Sequence, residues 1–238
     1  MNGNLLPVCS QNPSDLDLAA RFAPIVLADE LEPFDLLLAG YTIFEQEGDS
    51  PSFVPPRRVE WIAPRYPAHR AIEYALWWDW DIGHLYELEH VWAFVNQEDQ
   101  VIAVEASWHG MYGPIEIDGR PPLEGTHPVV LAQPGKHAMA ATAGPFEEIR
   151  EWAESSAGPE AGKEGVLETE LFRGRLGKTP ERDALATAYL KRRAFVPSWK
   201  FTRRFAVTRE MLVPWDVLRD WIPARVGWWI EELGRGRQ

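Results

Sequence analysis

The strongest constraint on the fold is a strict alternation that runs into a polar break and resumes. Glu87, Glu89, Val91, Ala93 and Val95 share one face of an extended strand, with Leu88, His90, Trp92 and Phe94 on the other. The polar pentapeptide Asn96-Gln97-Glu98-Asp99-Gln100 follows, and then a second strand over Val101–His109 in which Val101, Ala103, Glu105, Ser107 and His109 share a face. A chain patterned this way folds as an antiparallel hairpin. The parity sets two carboxylates, Glu87 and Glu89, side by side.

The rest of the chain extends this into a mainly β, α+β molecule, expected as a single domain over residues 1–238 with its β core at 75–140. The 12 Trp and 20 Pro, scattered rather than massed, suit a loop-rich sheet protein better than a helical bundle. Short strands are expected at Arg21–Leu27 and Gly40–Glu45, a third core strand at Pro128–Ala132, and another strand at Ser198–Val207, with Gly110–Gly125 as a connection. Helical segments are expected at 145–193 and 214–233. The first holds a helix over Pro145–Glu154, an exposed Ser155–Gly165 linker and a helix capped by Thr179-Pro180 that runs to about Arg193. In the second, Trp215, Leu218, Ile222, Val226, Trp229 and Leu233 recur at spacings of three and four, an amphipathic face on a C-terminal helix kinked at Pro223. Core packing is the commoner fate of such a face, with a membrane surface as the rival.

Charge narrows the partners. The net charge of −12 disfavours nucleic acid. It is unevenly spread: residues 1–172 hold 9 Lys and Arg against 29 Asp and Glu, and residues 173–238 hold 15 against 7, so the two parts are expected to attract across the fold, with a basic tail that binds something anionic as the rival reading. No apolar run spans a membrane, although peripheral contact stays open, and the oligomeric state is not legible. The single Cys9 excludes an intramolecular disulfide, and no leader is visible; a cytoplasmic protein is expected, or a secreted one if a leader was removed.

Function concentrates in Trp77–His90, which sets Asp79, Asp81, Glu87 and Glu89 with His84 and His90 among aromatic residues. Five of the six histidines (His84, His90, His109, His127 and His137) fall between residues 84 and 137. His84, Glu87 and Glu89 at a loop-to-strand junction opened by Gly83 can aim three ligands at one ion. Oxygen-rich ligation with one imidazole favours Mg²⁺, Ca²⁺ or Mn²⁺ over Zn²⁺, whose His-Glu-x-x-His and Cys-pair signatures are absent. A two-His, one-carboxylate triad of His84, Glu89 and His137 can also be drawn. The bland reading is a solvated strand face with histidines satisfied by backbone carbonyls.

Gly83-His84-Leu85-Tyr86-Glu87-Leu88-Glu89-His90-Val91 resembles the Gly-His-Arg-His-Asp-Trp-Glu heptad of the necrosis- and ethylene-inducing-peptide-like proteins and their vacuolar-sorting-associated relatives. Ala106-Ser107-Trp108-His109-Gly110-Met111-Tyr112 is similar to that family's Ser-x-His-Gly-x-Tyr strand, and His127-Pro128-Val129-Val130 with His137-Ala138 to its Pro-Val-Val strand and His-Ala element. The heptad's Arg, second His, Asp and Trp are here Leu85, Tyr86, Glu87 and Leu88.

The resemblance implies a β-sandwich with peripheral helices and an acidic pocket holding a divalent ion. His84, Glu87 and Glu89 match the metal ligands, Asp79 or Asp81 the upstream one, and His109 and His137 the pocket histidines. Family toxins recognise sphingolipid headgroups on plant membranes; the fold and ion site are the expectation here, not that cytolytic activity.

The function expected is therefore a non-catalytic, ion-dependent binding protein for a small polar ligand, such as a glycan or lipid headgroup, with Trp77, Trp78, Trp80 and Trp108 as an aromatic rim. The alternative is a metal-dependent hydrolase of phosphoesters or glycans in which His109 or His137 moves protons.

Overall fold

The computed structural model describes residues 6–7, 10–61 and 67–236, so Cys9 lies outside the described residues. In chain order the elements are α1 (Pro13–Arg21), β1 (Ile25–Ala28), β2 (Leu36–Phe44), β3 (Gly48–Asp49), β4 (Arg58–Val59), β5 (Arg70–Trp80), β6 (His84–Val95) and β7 (Val101–Trp108). There follow β8 (Met111–Pro114), β9 (Leu123–Glu124), β10 (His127–Ala132), β11 (Met139–Ala140), α2 (Gly144–Glu148), α3 (Arg150–Ala157) and β12 (Gly165–Val166). The chain ends with α4 (Pro180–Lys191), β13 (Arg203–Ala206), β14 (Leu212–Pro214) and α5 (Trp215–Arg235).

The strands form a large mixed sheet ordered β14-β2-β5-β6-β7-β8, with β12 added on β6, a smaller mixed sheet ordered β11-β10-β1-β13, with β9 added on β10, and a separate two-stranded ribbon of β3 and β4. The protein is thus mainly β, two sheets with helices around them. The expected hairpin is its spine. β6 and β7 pair in register from Val95↔Val101 to Val91↔Ala106 across the Asn96–Gln100 loop, where Asn96 Oδ1 accepts from the backbone N–H of Glu98 and Gln100.

Register then assigns the faces. Glu87 lies opposite Trp78 and Glu89 opposite Leu76, and Trp78 stacks on His137, which lies between β10 and β11 of the smaller sheet, at 4.5 Å. Both carboxylates therefore point between the sheets. On the other face Trp77 meets Trp221 of α5 at 6.0 Å, and His90 and Trp92 pack edge-on against Phe53.

The structure departs from the sequence expectations in several elements. Arg21 ends a helix rather than opening a strand, because Pro13 occupies the first turn and the Asn12 side chain accepts from Ser14 N. The strand that carries Glu87 and Glu89 is preceded by another, β5, the two joined by a tight turn at Asp81–His84 that Asp81 N closes by donating to His84 O at 3.0 Å. Gly110–Gly125 is not a plain connection but contains β8, turned back on β7. The Pro128–Ala132 strand is present as expected, and it lies parallel to β1 in the smaller sheet.

Pro145–Glu154 splits into α2 and α3 at Ile149, whose φ of −111° is not helical. The Ser155–Gly165 segment is docked rather than exposed, with Ala157, Ala161 and Gly162 buried, and Gly162 and Glu164 donate to the carbonyls of Ile82 and Gly83. Of Ser198–Val207 only β13 is strand, since Trp199 has a left-handed φ of 59° and its backbone N–H is spent on Asp29.

The helices capped by Thr179-Pro180 and carrying the Trp stripe form as read. α5 runs through Pro223 as one helix, and its apolar face, Trp215, Leu218, Trp221, Ile222 and Val226, is core. Among the described residues no helix is long and apolar enough to cross a membrane.

Candidate functional site

The site grows from the β5–β6 turn. Gly83 donates to Asp81 Oδ1 at 2.6 Å, and a Cβ on Gly83 would lie 3.0 Å from Lys136 Nζ, 3.1 Å from Asp81 Oδ1 and 3.3 Å from Glu164 Oε1. A side chain there would make those three charged groups give way by a few tenths of an ångström. Two residues into β6, Tyr86 adopts a left-handed φ of 57°. Strict alternation would place residues 84 and 87 on opposite faces; the left-handed step brings His84 Nε2 to 3.8 Å from Glu87 Oε2. A tyrosine in that conformation is strained by roughly 1–2 kcal/mol, and such residues gather at functional sites. His109 (φ 49°) and His137 (φ 58°) share the feature.

Glu87 and Glu89 are almost fully buried. Glu89 accepts from the Ser107 hydroxyl and, at 3.0 Å, from His109 N. The β6–β7 ladder stops at Val91↔Ala106; beyond it the Ser107 hydroxyl stands in, accepting from His90 N at 2.7 Å. Burial pushes the Glu89 carboxyl up to about 7, against those hydrogen bonds. Burial, followed by repulsion from Glu89 and Asp81, raises Glu87 well above the usual carboxylate range.

His84 is poised as a ligand. Its Nδ1 lies 2.7 Å from the Tyr86 carbonyl; a carbonyl only accepts, so Nδ1 carries the proton and Nε2 presents a lone pair. That lone pair faces Asp81 Oδ1 at 3.7 Å, Glu87 Oε2 at 3.8 Å and Glu164 Oε2 at 3.7 Å. Burial nevertheless holds the imidazole below its ordinary value. Asp81 Oδ2 is buried with no hydrogen-bond partner.

Ligand atoms of Asp81, His84 and Glu87 lie within 4.8 Å of one another, as do those of Glu87, Glu89 and His109, so the expected trio of His84, Glu87 and Glu89 is divided between two groups that share Glu87. Metal–ligand bonds of about 2.1–2.4 Å set neighbouring ligands roughly 3–4 Å apart, so the residues present fit a divalent ion.

The surrounding cavity measures about 460 Å³; Ser52, Phe53, Lys136, Trp152, Glu164 and Thr169 are among its walls. The sequence reading missed two contributors. Lys136 donates to Asp81 Oδ1 at 2.8 Å, and Glu164 arrives with the docked 155–165 segment. Lys136 stood beside His137 in the run Pro134–Ala138, a visible signal; Glu164 had none.

Several candidates sit elsewhere. Asp79 is claimed by Arg225 of α5, which donates from Nε at 2.9 Å and Nη2 at 2.6 Å, so of the two upstream acids it is Asp81 that joins the cluster. His137 is fully buried, its Nε2 3.3 Å from Glu32 Oε1, and neither it nor the drawn triad with His84 and Glu89 forms a ligand group among the described residues. His127 donates to Ala23 O and His90 lies against Ser52 Oγ.

The expected aromatic rim is also corrected. Trp77, Trp78 and Trp80 are core, and Trp108 borders a neighbouring apolar cavity instead, because the larger sheet buries both faces. Trp152, 47% exposed, is the tryptophan at this mouth. His109 reaches it from a two-residue turn, His109-Gly110, in which both φ values are positive.

No family model matches the chain, and no curated protein matches it. Solved structures do. A necrosis and ethylene inducing protein 2 from the causal agent of cocoa's witches' broom disease is 16% identical, covering 68% of this chain and 88% of its own, with a TM-score of 0.38. NLPPya in complex with glucosamine is 17% identical over 60% of this chain and 75% of its own (TM-score 0.38), and NLPPya in complex with mannosamine is 18% identical over the same shares (TM-score 0.39). The likeness is to the fold of the necrosis-inducing-protein-like structures; at this identity and TM-score no residue role or ligand follows from it.

Proposed function

We propose that the chain is a non-catalytic binding protein that takes up a divalent cation at Asp81, His84, Glu87 and Glu89 and uses it to hold a polar ligand such as a glycan or lipid headgroup. The carrying observation is the lone pair of a neutral His84 facing Asp81, Glu87 and Glu164 at 3.7–3.8 Å, with Glu87 shared by a second group of ligand atoms that adds Glu89. Lone pair against anion is repulsive, and a cation among them turns each contact into a bond. The oxygen-rich set favours Mg²⁺, Ca²⁺ or Mn²⁺.

The cavity opens beside the half-exposed Glu164 side chain and Trp152, which leaves the outer side of the ion for a ligand's hydroxyl groups and an aromatic surface for a sugar face. Binding is favoured over hydrolysis because His137, one of two candidate proton carriers, lies sealed beneath the site.

The test is the melting temperature of chelator-stripped protein with and without Mg²⁺, Ca²⁺ or Mn²⁺, followed by titration of the loaded protein with glucosamine and neutral hexoses. One ion should raise the melting temperature, and Glu89→Ala should lose both that rise and sugar binding. Sugar binding retained by the variant, or no rise with any ion, would sink the proposal.

A further inference from the structure

We infer that Lys136 is a built-in counter-ion of the acidic cavity, which competes with an external divalent ion and sets how tightly that ion is held. The inference rests on the cation-site reading above. Three carboxylates, Glu87, Glu89 and Glu164, stand in the cavity wall with Lys136, and a fourth, Asp81, is buried behind the lysine that pairs with it. The Lys136 ammonium lies 2.8 Å from Asp81 Oδ1 and 3.9 Å from Glu164 Oε1, with the side chain only 7% exposed. Asp81 Oδ1 also faces His84 Nε2, at 3.7 Å, and the second Glu164 oxygen, Oε2, lies 3.7 Å from the same nitrogen. The lysine therefore occupies the Asp81 oxygen that faces the lone pair and one of the two Glu164 oxygens.

The placement is built rather than incidental. Residues on both sides of Lys136 have left-handed backbones, Gly135 at φ 70° and His137 at φ 58°, and one buried carboxylate, Glu32, clamps both: Gly135 N donates to Oε2 at 2.7 Å, and His137 Nε2 lies 3.3 Å from Oε1. Gly135 O in turn accepts from Ile82 N at 2.7 Å in the turn that carries Asp81 and His84. The lysine-bearing loop and the ligand-bearing turn are thus one unit, and a Cβ on Gly135 would press to 2.9 Å of Ile82 Cγ2. With the backbone held at both flanks, the long Lys136 side chain is the part free to move off Asp81 Oδ1 and yield it to an ion.

A positive charge a few ångströms from a divalent ion opposes it strongly at low dielectric, so removing the ammonium should tighten ion binding by about tenfold or more. The experiment is calorimetric titration of the chelator-stripped full chain with Ca²⁺ and Mn²⁺, comparing wild type, Lys136→Met and the charge-retaining Lys136→Arg. Lys136→Met should bind at least about tenfold more tightly and Lys136→Arg within about threefold of wild type. A folded Lys136→Met that binds as wild type does, or more weakly, overturns the inference while leaving the cation site standing. No binding by either protein overturns both readings, and binding by Lys136→Met alone supports the lysine's role while refuting an ion site in the wild type.

A second measurement needs no variant. Acetylation of Lys136 by an amine-reactive ester, mapped by mass spectrometry on wild-type protein, should rise on ion saturation as the ammonium leaves Asp81; unchanged labelling in protein shown by calorimetry to be loaded overturns the inference.

Discussion

Glu89 ties the site to pH. Its carboxyl is raised from 4.5 to about 7 by burial, against the hydrogen bonds from Ser107 and His109. In the ion-free protein the protonated form is the favoured one: its stabilisation is complete below pH 4.5 and is lost as pH rises through about 7. A cation needs the carboxylate, so ion uptake releases a proton below that range and strengthens above it. The ion-induced rise in melting temperature should accordingly be larger at pH 8 than at pH 5.5, and equal rises would show that Glu89 is not a ligand. His84 adds nothing opposed to this, since burial keeps its imidazole below the ordinary value and ready to ligate.

Among elements, the docking of α5 on β5 decides which acid serves the site. Asp79 and Asp81 sit two residues apart in one Trp- and Asp-rich run, and no local pattern separates them. Arg225 does, by binding both oxygens of Asp79 across the strand–helix interface. The pair is nearly buried, at 11% and 14% side-chain exposure. Arg225→Ala strands a carboxylate there and should cost about 3–5 kcal/mol in urea denaturation, while ion affinity stays as in wild type. A change in ion affinity would mean that Asp79 belongs to the site after all.

In the same way the β6–β7 hairpin was legible from alternation and a polar loop, because each signal is local. The partition of strands between two sheets was not, since β10 has the same composition whether it pairs with β1 or with the hairpin.

For the whole molecule, the charge asymmetry resolves into surface pairs between the basic C-terminal part and the acidic remainder. Arg203 meets Asp35, Arg204 meets Glu124 and Arg209 meets Asp17. These side chains are largely solvated, so each pair contributes little: Arg204→Ala should change stability by less than about 1 kcal/mol, and a larger loss in denaturant titration would assign the pair a structural role.

What the sequence by itself determined was every feature carried by neighbours in the chain: the hairpin, the Thr179 cap, the buried face of α5, and the grouping of His84, Glu87 and Glu89 near one strand end. Tertiary structure alone brought Lys136 and Glu164 to them, took Asp79 away, sealed His137 against Glu32 and turned the three strand tryptophans into core. Periodicity and spacing act within a few residues, whereas the charge and exposure of a cavity are set by whichever distant segments pack around it.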